Sequence, residues 1–350
     1  MVKRIAFAVP GDLATPTGGY AYDRRMIAEL RTLGWQVDVL GLGEGFPRPD
    51  AATKESARVA LLGIEAGVPV IVDGLALGVL PEAANELRGR NPLIALVHHP
   101  LALETGVSPD EAQALQKSET EALAAAQGVI VTSPSTAQLL LDGYDVPGEL
   151  ITVALPGTDR GEAAKGSSDG IVRLLSVGAV VPRKGFDILI EALAAIADLP
   201  WRLTLAGDRT RDAAATAQLD DAIMSNRLAS KVELLGALPP DRLMALYGAA
   251  DIFVLASRFE GYGMAYAEAL AHGLPVIGTT AGAIPDTVPP NAGVLVEPND
   301  VKALSRALRM LIENPEERRW LASGAREAGE QLPSWAAQAG LVAGAIEAVA

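Results

Sequence analysis

The sequence predicts an α/β protein with two domains, each built on a parallel β-sheet. The chain has 350 residues, which is long for one domain and comfortable for two. Short apolar runs alternate with longer segments of helical periodicity, the pattern that βαβ units produce. A polar, glycine-rich stretch without periodicity at residues 159–170 separates two such series. We therefore predict one domain over residues 1–160 and another over residues 171–332.

The first half contains six apolar runs that predict strands. The fourth run ends at the sequence His98-His99-Pro100, and Ser133-Pro134 predicts a helix start by side-chain capping. The segment GLGEGF at residues 41–46 superficially resembles a dinucleotide-binding loop, but the prolines that follow it disfavour the required helix, so we reject a dehydrogenase. The predicted strands cover residues 5–9, 36–40, 68–72, 92–97, 129–132 and 151–154.

The second half repeats the pattern with six further strands. The first of them is followed by SVGAVVPRKGFDILIEAL, in which a glycine turn and the pair Arg183-Lys184 precede a helix of apolar periodicity. Cationic side chains together with the free N–H groups of a helix start are typical of phosphate binding. The predicted strands cover residues 172–177, 202–206, 232–235, 252–256, 274–278 and 294–296.

Composition and charge narrow the class of protein. The balance of 29 Lys and Arg against 43 Asp and Glu gives a net charge of −14, which disfavours nucleic acid or an anionic bilayer as the main partner. The chain has no cysteine, which excludes disulfides and thiolate metal sites and is compatible with the cytosol. Glu65 and Asp73 interrupt the richest apolar stretch, and Pro10 and Asp12 end the first apolar run too early for a signal peptide. We expect a cytoplasmic protein without an integral membrane segment, with room for peripheral membrane contact through a local basic patch.

The most informative stretch covers residues 249–280, AADIFVLASRFEGYGMAYAEALAHGLPVIGTT. Its pattern predicts a strand, a glycine-broken turn, a helix and a second strand. Glu260 lies in the turn and Glu268 in the helix, with Gly261 and Gly263 between them. A helix start offers unpaired N–H groups and partial positive charge, and glycines let a ligand approach closely, so this turn is suited to an anionic or hydroxyl-rich ligand.

The same stretch resembles the E-x7-E signature of retaining, nucleotide-sugar-dependent glycosyltransferases of the GT-B fold, and the family 4 (group 1) enzymes in particular. The resemblance covers most of the chain, strongly from about residue 172 to 335 and more loosely before. It implies two Rossmann-like domains facing across a cleft, an N-terminal one that binds the acceptor and a C-terminal one that binds the nucleotide sugar. It also implies that residues 333–350 form a helix that packs back on the N-terminal domain, with Trp335 as an apolar anchor.

The resemblance assigns roles in donor binding. Glu260 is expected to contact the hydroxyls of the donor sugar, and Glu268 the ribose of the nucleotide. Lys184 matches the family's Lys-Gly step that binds the donor phosphates, but Ala179 stands where the family has an arginine, so Arg183 is the expected substitute. Further donor contacts, mostly through the backbone, are expected at Gly18, Gly19, Gly207, Leu235, Gly261, Tyr262, Gly263 and Met264.

The acceptor side is expected around the histidine pair. A residue just past the carboxyl end of a parallel strand lies where ligands bind in open α/β sheets. The family's histidine at this position maps best onto His98, with His99 as the alternative, and a structural pair that caps a loop is the competing interpretation. Tyr20, Glu104 and Thr105 are further candidate acceptor contacts. The expected catalytic residues are Glu260, Lys184, Arg183 and His98.

These inferences predict a hexosyltransferase that uses a nucleotide-diphosphate sugar, most readily a UDP- or GDP-sugar. The hydroxyl acceptor would be a glycan, a lipid-linked sugar or a small molecule, as in the synthesis of cell-envelope glycans, glycolipids or small glycosides. We expect no metal and no cofactor, because side chains neutralise the leaving diphosphate, which helps to deprotonate the acceptor.

Three alternatives compete with this prediction. A glycoside hydrolase also needs two carboxylates but has no use for a phosphate site. A GT-B phosphorylase would carry pyridoxal phosphate on a lysine. A noncatalytic nucleotide-sugar-binding protein is favoured by Ala179, because one of the phosphate-binding cations of the family is absent there.

Overall fold

A computed structural model describes residues 3–104 and 106–350 of the chain. Thr105, one of the candidate acceptor contacts, lies outside the described residues. The chain divides into two compact units, the first comprising Met1–Gly157 together with Pro333–Ala350 and the second Thr158–Leu332. Each unit contains a six-stranded sheet in which all paired strands are parallel. The predicted α/β class with two parallel sheets is therefore confirmed.

The first unit is built on a sheet whose central strands are buried on both faces. Its strands are β1 (Arg4–Val9), β2 (Gln36–Gly41), β3 (Val70–Asp73), β4 (Leu93–Val97), β5 (Gly128–Val131) and β6 (Ile151–Val153). Its helices up to this point are α1 (Gly18–Thr32), α2 (Ala51–Leu62), α3 (Gly74–Leu77), α4 (Pro81–Arg88), α5 (Pro109–Leu123) and α6 (Pro134–Gly143). The order across the sheet is β2-β1-β3-β4-β5-β6. Every residue of β3, β4 and β5 is buried, as expected for a parallel sheet covered by helices.

The second unit repeats this plan. Its strands are β7 (Val172–Val177), β8 (Trp201–Ala206), β9 (Val232–Gly236), β10 (Ile252–Val254), β11 (Val276–Thr279) and β12 (Gly293–Val296). Its helices are α7 (Phe186–Ala194), α8 (Ala213–Ser225), α9 (Pro240–Ala249), α10 (Met264–Ala271), α11 (Ile284–Thr287), α12 (Val301–Glu313) and α13 (Pro315–Gln331). The order across the sheet is β12-β11-β10-β7-β8-β9, which is the strand order of a dinucleotide-binding fold.

The last helix, α14 (Trp335–Val349), belongs to the first unit. Trp335 is only 5% exposed, its ring centroid lies 5.9 Å from that of Tyr22, and the guanidinium of Arg25 lies 5.1 Å above it. Gln338 Oε1 accepts a hydrogen bond of 2.7 Å from the backbone N–H of Leu155. The prediction of a terminal helix on the first domain, anchored by Trp335, is confirmed.

Each predicted strand is present in the structure, and some strands begin or end at a different residue from the one predicted. β11 begins at Val276 rather than at residue 274, because Pro275 has no N–H to donate and the N–H of Leu274 bonds to Ala269 O, which ends α10. Ser133 caps α6 as predicted, since its Oγ accepts from the N–H of Thr136 at 3.0 Å.

Residues 159–170, the predicted linker, contain no helix or strand and lie in the second unit. The N–H of Ala164 bonds to His272 O at 2.8 Å, and that of Lys165 bonds to Gly248 O at 3.0 Å. The stretch is therefore fixed on the second unit by backbone hydrogen bonds. Within the described ranges, no helix has both the length and the apolar character needed to cross a membrane.

Candidate functional site

In the second unit, the neighbouring strands β7 and β10 mark the point where the strand order reverses. Ligands of open α/β sheets bind beside the carboxyl ends of the strands at such a switch point. The chain leaving β7 carries Arg183 and Lys184, and the chain leaving β10 carries Glu260. Topology alone therefore brings these three side chains to one edge of the sheet.

Backbone contacts lock the two segments together. Gly185 follows a single 3₁₀ turn over Pro182–Lys184 and adopts a left-handed φ of 64°. A Cβ at this position would lie 2.0 Å from Ala256 O, so only glycine fits. The N–H of Arg258 also donates to Arg183 O at 2.7 Å. The side chains of Arg183 and Lys184 therefore start from a fixed backbone next to the turn that carries Glu260.

Gly207 and Leu235 lie at the ends of the next strands. A Cβ on Gly207 would lie 1.7 Å from Gly178 O, so Gly207 permits the chain after β7 to pass close to the chain after β8. The N–H of Gly207 donates to Gly236 O at 2.8 Å, one residue beyond the half-buried Leu235. Both expected donor contacts thus lie along the same sheet edge, where Gly207 also has a packing role.

Glu260 forms a three-membered ion cluster with the two cations. Its Oε1 accepts from Lys184 Nζ at 2.6 Å, and its Oε2 accepts from Arg183 Nη1 at 2.9 Å. The side chains of Lys184 and Arg183 are 14% and 24% exposed, and that of Glu260 is 7% exposed. Two cations and one carboxylate leave one positive charge within this cluster, and both cations remain partly open to solvent.

The carboxylate of Glu260 is held in its charged form. Ser257 Oγ donates a hydrogen bond of 2.6 Å to Oε1 of this carboxylate. The backbone of Glu260 is also fixed, because its carbonyl oxygen accepts from the N–H of Ala283 at 2.9 Å. Burial by itself would raise the pKa of Glu260, but the charges of Lys184 and Arg183 outweigh burial and bring it to about 2. Burial lowers the pKa of Lys184, and the attraction of Glu260 opposes that shift. The ion pair with Glu260 therefore favours the charged form of this lysine.

Glu268 lies on α10 and interacts electrostatically with Lys184. Its Oε2 accepts from the hydroxyl of Tyr247 at 2.7 Å. Burial raises its pKa, and the hydrogen bond from Tyr247 opposes the rise. His272 stacks on Tyr247 with ring centroids 5.1 Å apart, and its Nδ1 lies 2.8 Å from Glu268 O. His272 therefore packs at the end of the helix and has a structural role.

The turn between the two acids ends at the start of α10. Gly263 precedes the helix with a left-handed φ of 94°, and Met264 is the first helical residue. The N–H groups of a first helical turn have no partner within the helix. Gly261 and Met264 are half-buried, whereas Tyr262 is only 7% exposed and its carbonyl accepts from Thr287 Oγ1 at 2.9 Å. The predicted backbone contacts from Gly261 to Met264 therefore lie together at one helix start.

In the first unit, Gly18 and Gly19 are the first two residues of α1, which Thr17 caps by accepting from the N–H of Tyr20 at 3.1 Å. They open a helix and do not form a tight turn, because neither has a positive φ. A Cβ on Gly19 would lie 3.3 Å from Cδ2 of His98, so this glycine lets the imidazole ring pack closely against the helix.

His98 and His99 follow β4 and have different partners. His98 Nε2 lies 3.3 Å from Asp23 Oδ1 and 3.7 Å from Asp73 Oδ2. One nitrogen or oxygen atom from each of these three side chains lies within 4.8 Å of the other two. His99 Nε2 lies 2.7 Å from Glu104 Oε1. The two histidines therefore belong to two separate polar groups of the first unit.

Sequence reasoning missed Asp23 and Asp73. One signal was available for Asp23, because it lies on the buried stripe of α1 that also carries Met26, Ile27 and Leu30, where an aspartate is costly unless it has a partner. Asp73 is the buried last residue of β3 and caps α3 through Leu75 N–H at 2.7 Å. Nothing in the spacing of positions 23, 73 and 98 reveals their contact.

The match to a known protein family lies in the second unit. Residues 161–328 match the family described as glycosyl transferases group 1. The chain is 27% identical over 312 residues to the MMP alpha-(1->4)-mannosyltransferase of Mycolicibacterium hassiacum, covering 83% of this chain and 73% of that protein. It is 35% identical over 164 residues to the GDP-mannose-dependent monoacylated alpha-(1-6)-phosphatidylinositol monomannoside mannosyltransferase of Corynebacterium glutamicum. That second match covers 45% of this chain and only 42% of the relative.

Solved structures resemble the whole chain. Sucrose-phosphate synthase from Thermosynechococcus elongatus superimposes with a TM-score of 0.82 at 22% identity, covering 99% of this chain and all of the other. Anabaena HepE in complex with UDP and glucose superimposes with a TM-score of 0.75 at 19% identity, covering 97% and 99% of the two chains. At these identities the likeness establishes the fold of the chain.

Proposed function

We propose that the chain is a group 1 glycosyl transferase, the family that its residues 161–328 match, and that it acts as a retaining hexosyltransferase that takes its sugar from a nucleotide-diphosphate sugar. The observation that carries this proposal is the cluster of Arg183, Lys184 and Glu260 at the switch point of the second sheet. It combines a surplus positive charge for a diphosphate with a fixed carboxylate for sugar hydroxyls.

The donor occupies the second unit. Lys184 and Arg183 contact the diphosphate, and the N–H groups at the start of α10 add neutral donors beside it. Glu260 accepts hydrogen bonds from the hydroxyls of the sugar, and Glu268 accepts from the ribose. Tyr247 supports the second role, because its hydroxyl orients the Glu268 carboxylate from the buried side.

Arg183 takes the place of the arginine that related enzymes have at position 179. Ala179 has no charge to offer, whereas the guanidinium of Arg183 lies 2.9 Å from the same carboxylate that Lys184 binds. With Arg183 beside Lys184, the site has two cations for the diphosphate, as many as if position 179 were an arginine. This substitution supports an active transferase over a noncatalytic nucleotide-sugar-binding protein.

The acceptor hydroxyl is bound by the first unit. His98 and Tyr20 follow the ends of β4 and β1, and His99 with Glu104 adds a second polar pair near the same strand end. These side chains suit a polyhydroxylated acceptor, such as a glycan, a lipid-linked sugar or a small glycoside. The relatives' names, which include mannosyltransferases and D-inositol 3-phosphate glycosyltransferases, support an acceptor of this class.

In the proposed reaction, the bond between the anomeric carbon and the diphosphate oxygen breaks, and the acceptor oxygen bonds to that carbon on the same face. The acceptor proton passes to the leaving diphosphate oxygen. Lys184 and Arg183 stabilise the negative charge that grows on this oxygen, which is the largest contribution expected from preorganised donors.

A thermal-shift panel of UDP-, GDP-, ADP- and TDP-sugars tests the proposal. A ligand that binds the folded state stabilises it by about 2.7 kcal/mol at a concentration 100 times its Kd. We expect a rise in Tm with sugars of one base, and UDP and GDP are the first candidates because HepE was solved with UDP and a relative is named for GDP-mannose. A panel in which no nucleotide sugar changes Tm would contradict the proposal.

A further inference from the structure

Asp23, Asp73 and His98 form a buried polar cluster in the first unit. Asp23 is 0% exposed and Asp73 is 2% exposed. If both acids are taken as charged, both oxygens of Asp23 and Nε2 of His98 have no hydrogen-bond partner in the described part of the chain. Buried polar atoms in folded proteins are nearly always satisfied. Either a proton shared within the cluster or a bound ion would satisfy these atoms.

The charges around the cluster do not support two ionised carboxylates. Burial raises the pKa of Asp23 and that of Asp73, each to about 7. Arg24 is the adjacent cation on α1 and lowers the pKa of Asp23, but its Nη1 bonds to backbone carbonyls of the preceding loop. Tyr22 packs edge-on against the imidazole with ring centroids 5.3 Å apart and donates its hydroxyl to Ala154 O. One proton shared by the two acids leaves a single negative charge and satisfies an oxygen of each.

The position of the ring indicates which nitrogen carries the hydrogen. Nε2 lies 3.3 Å from Asp23 Oδ1. With the shared proton on the other oxygen of Asp23, toward Asp73, Oδ1 is left as an acceptor, so the hydrogen of the ring belongs on Nε2. The His98 side chain is 19% exposed although Nε2 is buried, so its exposed part lies away from the two acids. Gly19 leaves the space that the ring needs beside α1.

We propose that Asp23 and Asp73 are positioning residues: they share one proton and hold His98 with Nε2–H toward Asp23, so that Nδ1 accepts a hydrogen bond from the acceptor hydroxyl. This inference rests on the proposed function for the role of His98, whereas the assignment of the ring hydrogen rests on the contacts within the cluster. A fixed tautomer matters because a histidine in the other form would present a donor where an acceptor is needed.

A divalent cation is the alternative to a shared proton. The cluster offers three groups, and Oδ1 of Asp73 already accepts from Leu75 N–H at 2.7 Å. Zinc in structural sites takes four protein ligands. The metal alternative predicts one equivalent of bound ion, which elemental analysis of the purified full chain, with and without added zinc or manganese, measures directly.

The decisive experiment is nitrogen NMR of the full chain labelled with ¹⁵N-histidine. The chain has three histidines, so His98→Gln and His99→Gln assign the signals, and His99→Gln is the matched control. We expect the signal of His98 to show the Nε2–H tautomer near neutral pH, with no bound metal. An Nδ1–H tautomer, a rapidly exchanging mixture, or one equivalent of metal that shifts the His98 signal would overturn the inference.

A kinetic test separates positioning from a merely structural role. The substrate is the nucleotide sugar that raises Tm in the panel, and the reaction is its hydrolysis by water. Asp23→Leu keeps the branched shape of the side chain without an acceptor, and we expect kcat to fall at least about tenfold, because a misplaced His98 no longer orients the acceptor. We expect KM for the donor to be unchanged, and Asp23→Asn, which keeps an acceptor oxygen, to restore most of the rate.

The outcomes distinguish the two claims. An unchanged kcat in a folded Asp23→Leu protein contradicts the positioning role even if the donor binds as proposed. If no nucleotide sugar binds, the proposed function fails, and the tautomer of His98 in the unmodified chain still decides the geometry. If Asp23→Leu does not fold, the wild-type tautomer remains the deciding measurement.

Discussion

Glu260 is the residue on which the donor site is organised. It binds Lys184, Arg183 and Ser257 with two oxygens, and its pKa of about 2 keeps it charged throughout the neutral range. A neutral side chain at this position would leave two neighbouring cations without their common acid. The same change would also remove a hydrogen-bond acceptor for the sugar.

Glu260→Gln tests the division of roles between sugar and phosphate. We expect kcat/KM for the nucleotide sugar to fall by about 10²-fold or more, because buried polar groups that lose a partner strongly disfavour the substrate. Binding of the free nucleoside diphosphate should change much less, since the cations remain. Steady-state kinetics and calorimetric binding measure the two effects, with the exposed Glu297→Gln in the same unit as the control. Equal losses in both measurements would show that Glu260 does not act on the sugar.

Asp23 makes a prediction about stability and pH. Its pKa is raised by burial from 3.8 to about 7, so the folded state holds a proton that the unfolded state releases. The stabilising contribution is therefore fully present below pH 3.8 and is lost as the pH rises through about 7. The unfolding free energy of Asp23→Asn minus that of the wild type should increase by about 1–3 kcal/mol when the pH is raised from 5 to 8. Urea denaturation at both pH values measures the change, and a constant difference between the proteins would be the contrary result.

At the scale of elements, the turn between β7 and α7 determines where the cations lie. Gly185 has a left-handed backbone conformation, and a Cβ on it would lie 2.0 Å from Ala256 O. Any side chain there would push the Arg183-Lys184 turn away from the chain that leaves β10. Stability and donor binding are therefore coupled at this one glycine.

Gly185→Ala should destabilise the second unit by at least about 2 kcal/mol, through backbone strain and the clash with a carbonyl oxygen. Gly248→Ala is the matched control, because nothing lies within 4 Å of the added methyl group and the residue is inside α9. There alanine should stabilise by up to about 1 kcal/mol. Thermal unfolding of the two variants compares them, and similar Tm values would contradict this account of the turn.

The elements themselves were predictable because each depends on a short stretch of sequence. Apolar runs predicted the strands, and Ser133-Pro134 predicted a helix start. The site was only partly predictable. Lys184 and Glu260 were identified from motifs, but their direct ion pair joins residues separated by 76 positions and depends on how β7 pairs with β10. The contact of His98 with Asp23 and Asp73 was missed, because it requires the end of β3, the end of β4 and a buried face of α1 to meet.

For the whole molecule, the predicted GT-B fold is confirmed. Two six-stranded parallel sheets, a terminal helix on the first unit and a match to sucrose-phosphate synthase over 99% of the chain agree with it. The fold could be predicted because the second unit carries a strong motif and the alternation of strands and helices continues through both halves. The donor base, the sugar and the acceptor depend on a few side chains at strand ends, and the sequence patterns do not encode those choices.

The central claim is that Lys184 and its neighbours bind the diphosphate of the donor. Titration calorimetry of UDP and GDP against the wild type, Lys184→Ala and the exposed control Lys302→Ala measures this most directly. We predict that one of the two nucleotides binds the wild type and Lys302→Ala equally, and that Lys184→Ala weakens it by at least about tenfold, or 1.4 kcal/mol. Equal affinity for all three proteins, or no binding of either nucleotide, would contradict the claim.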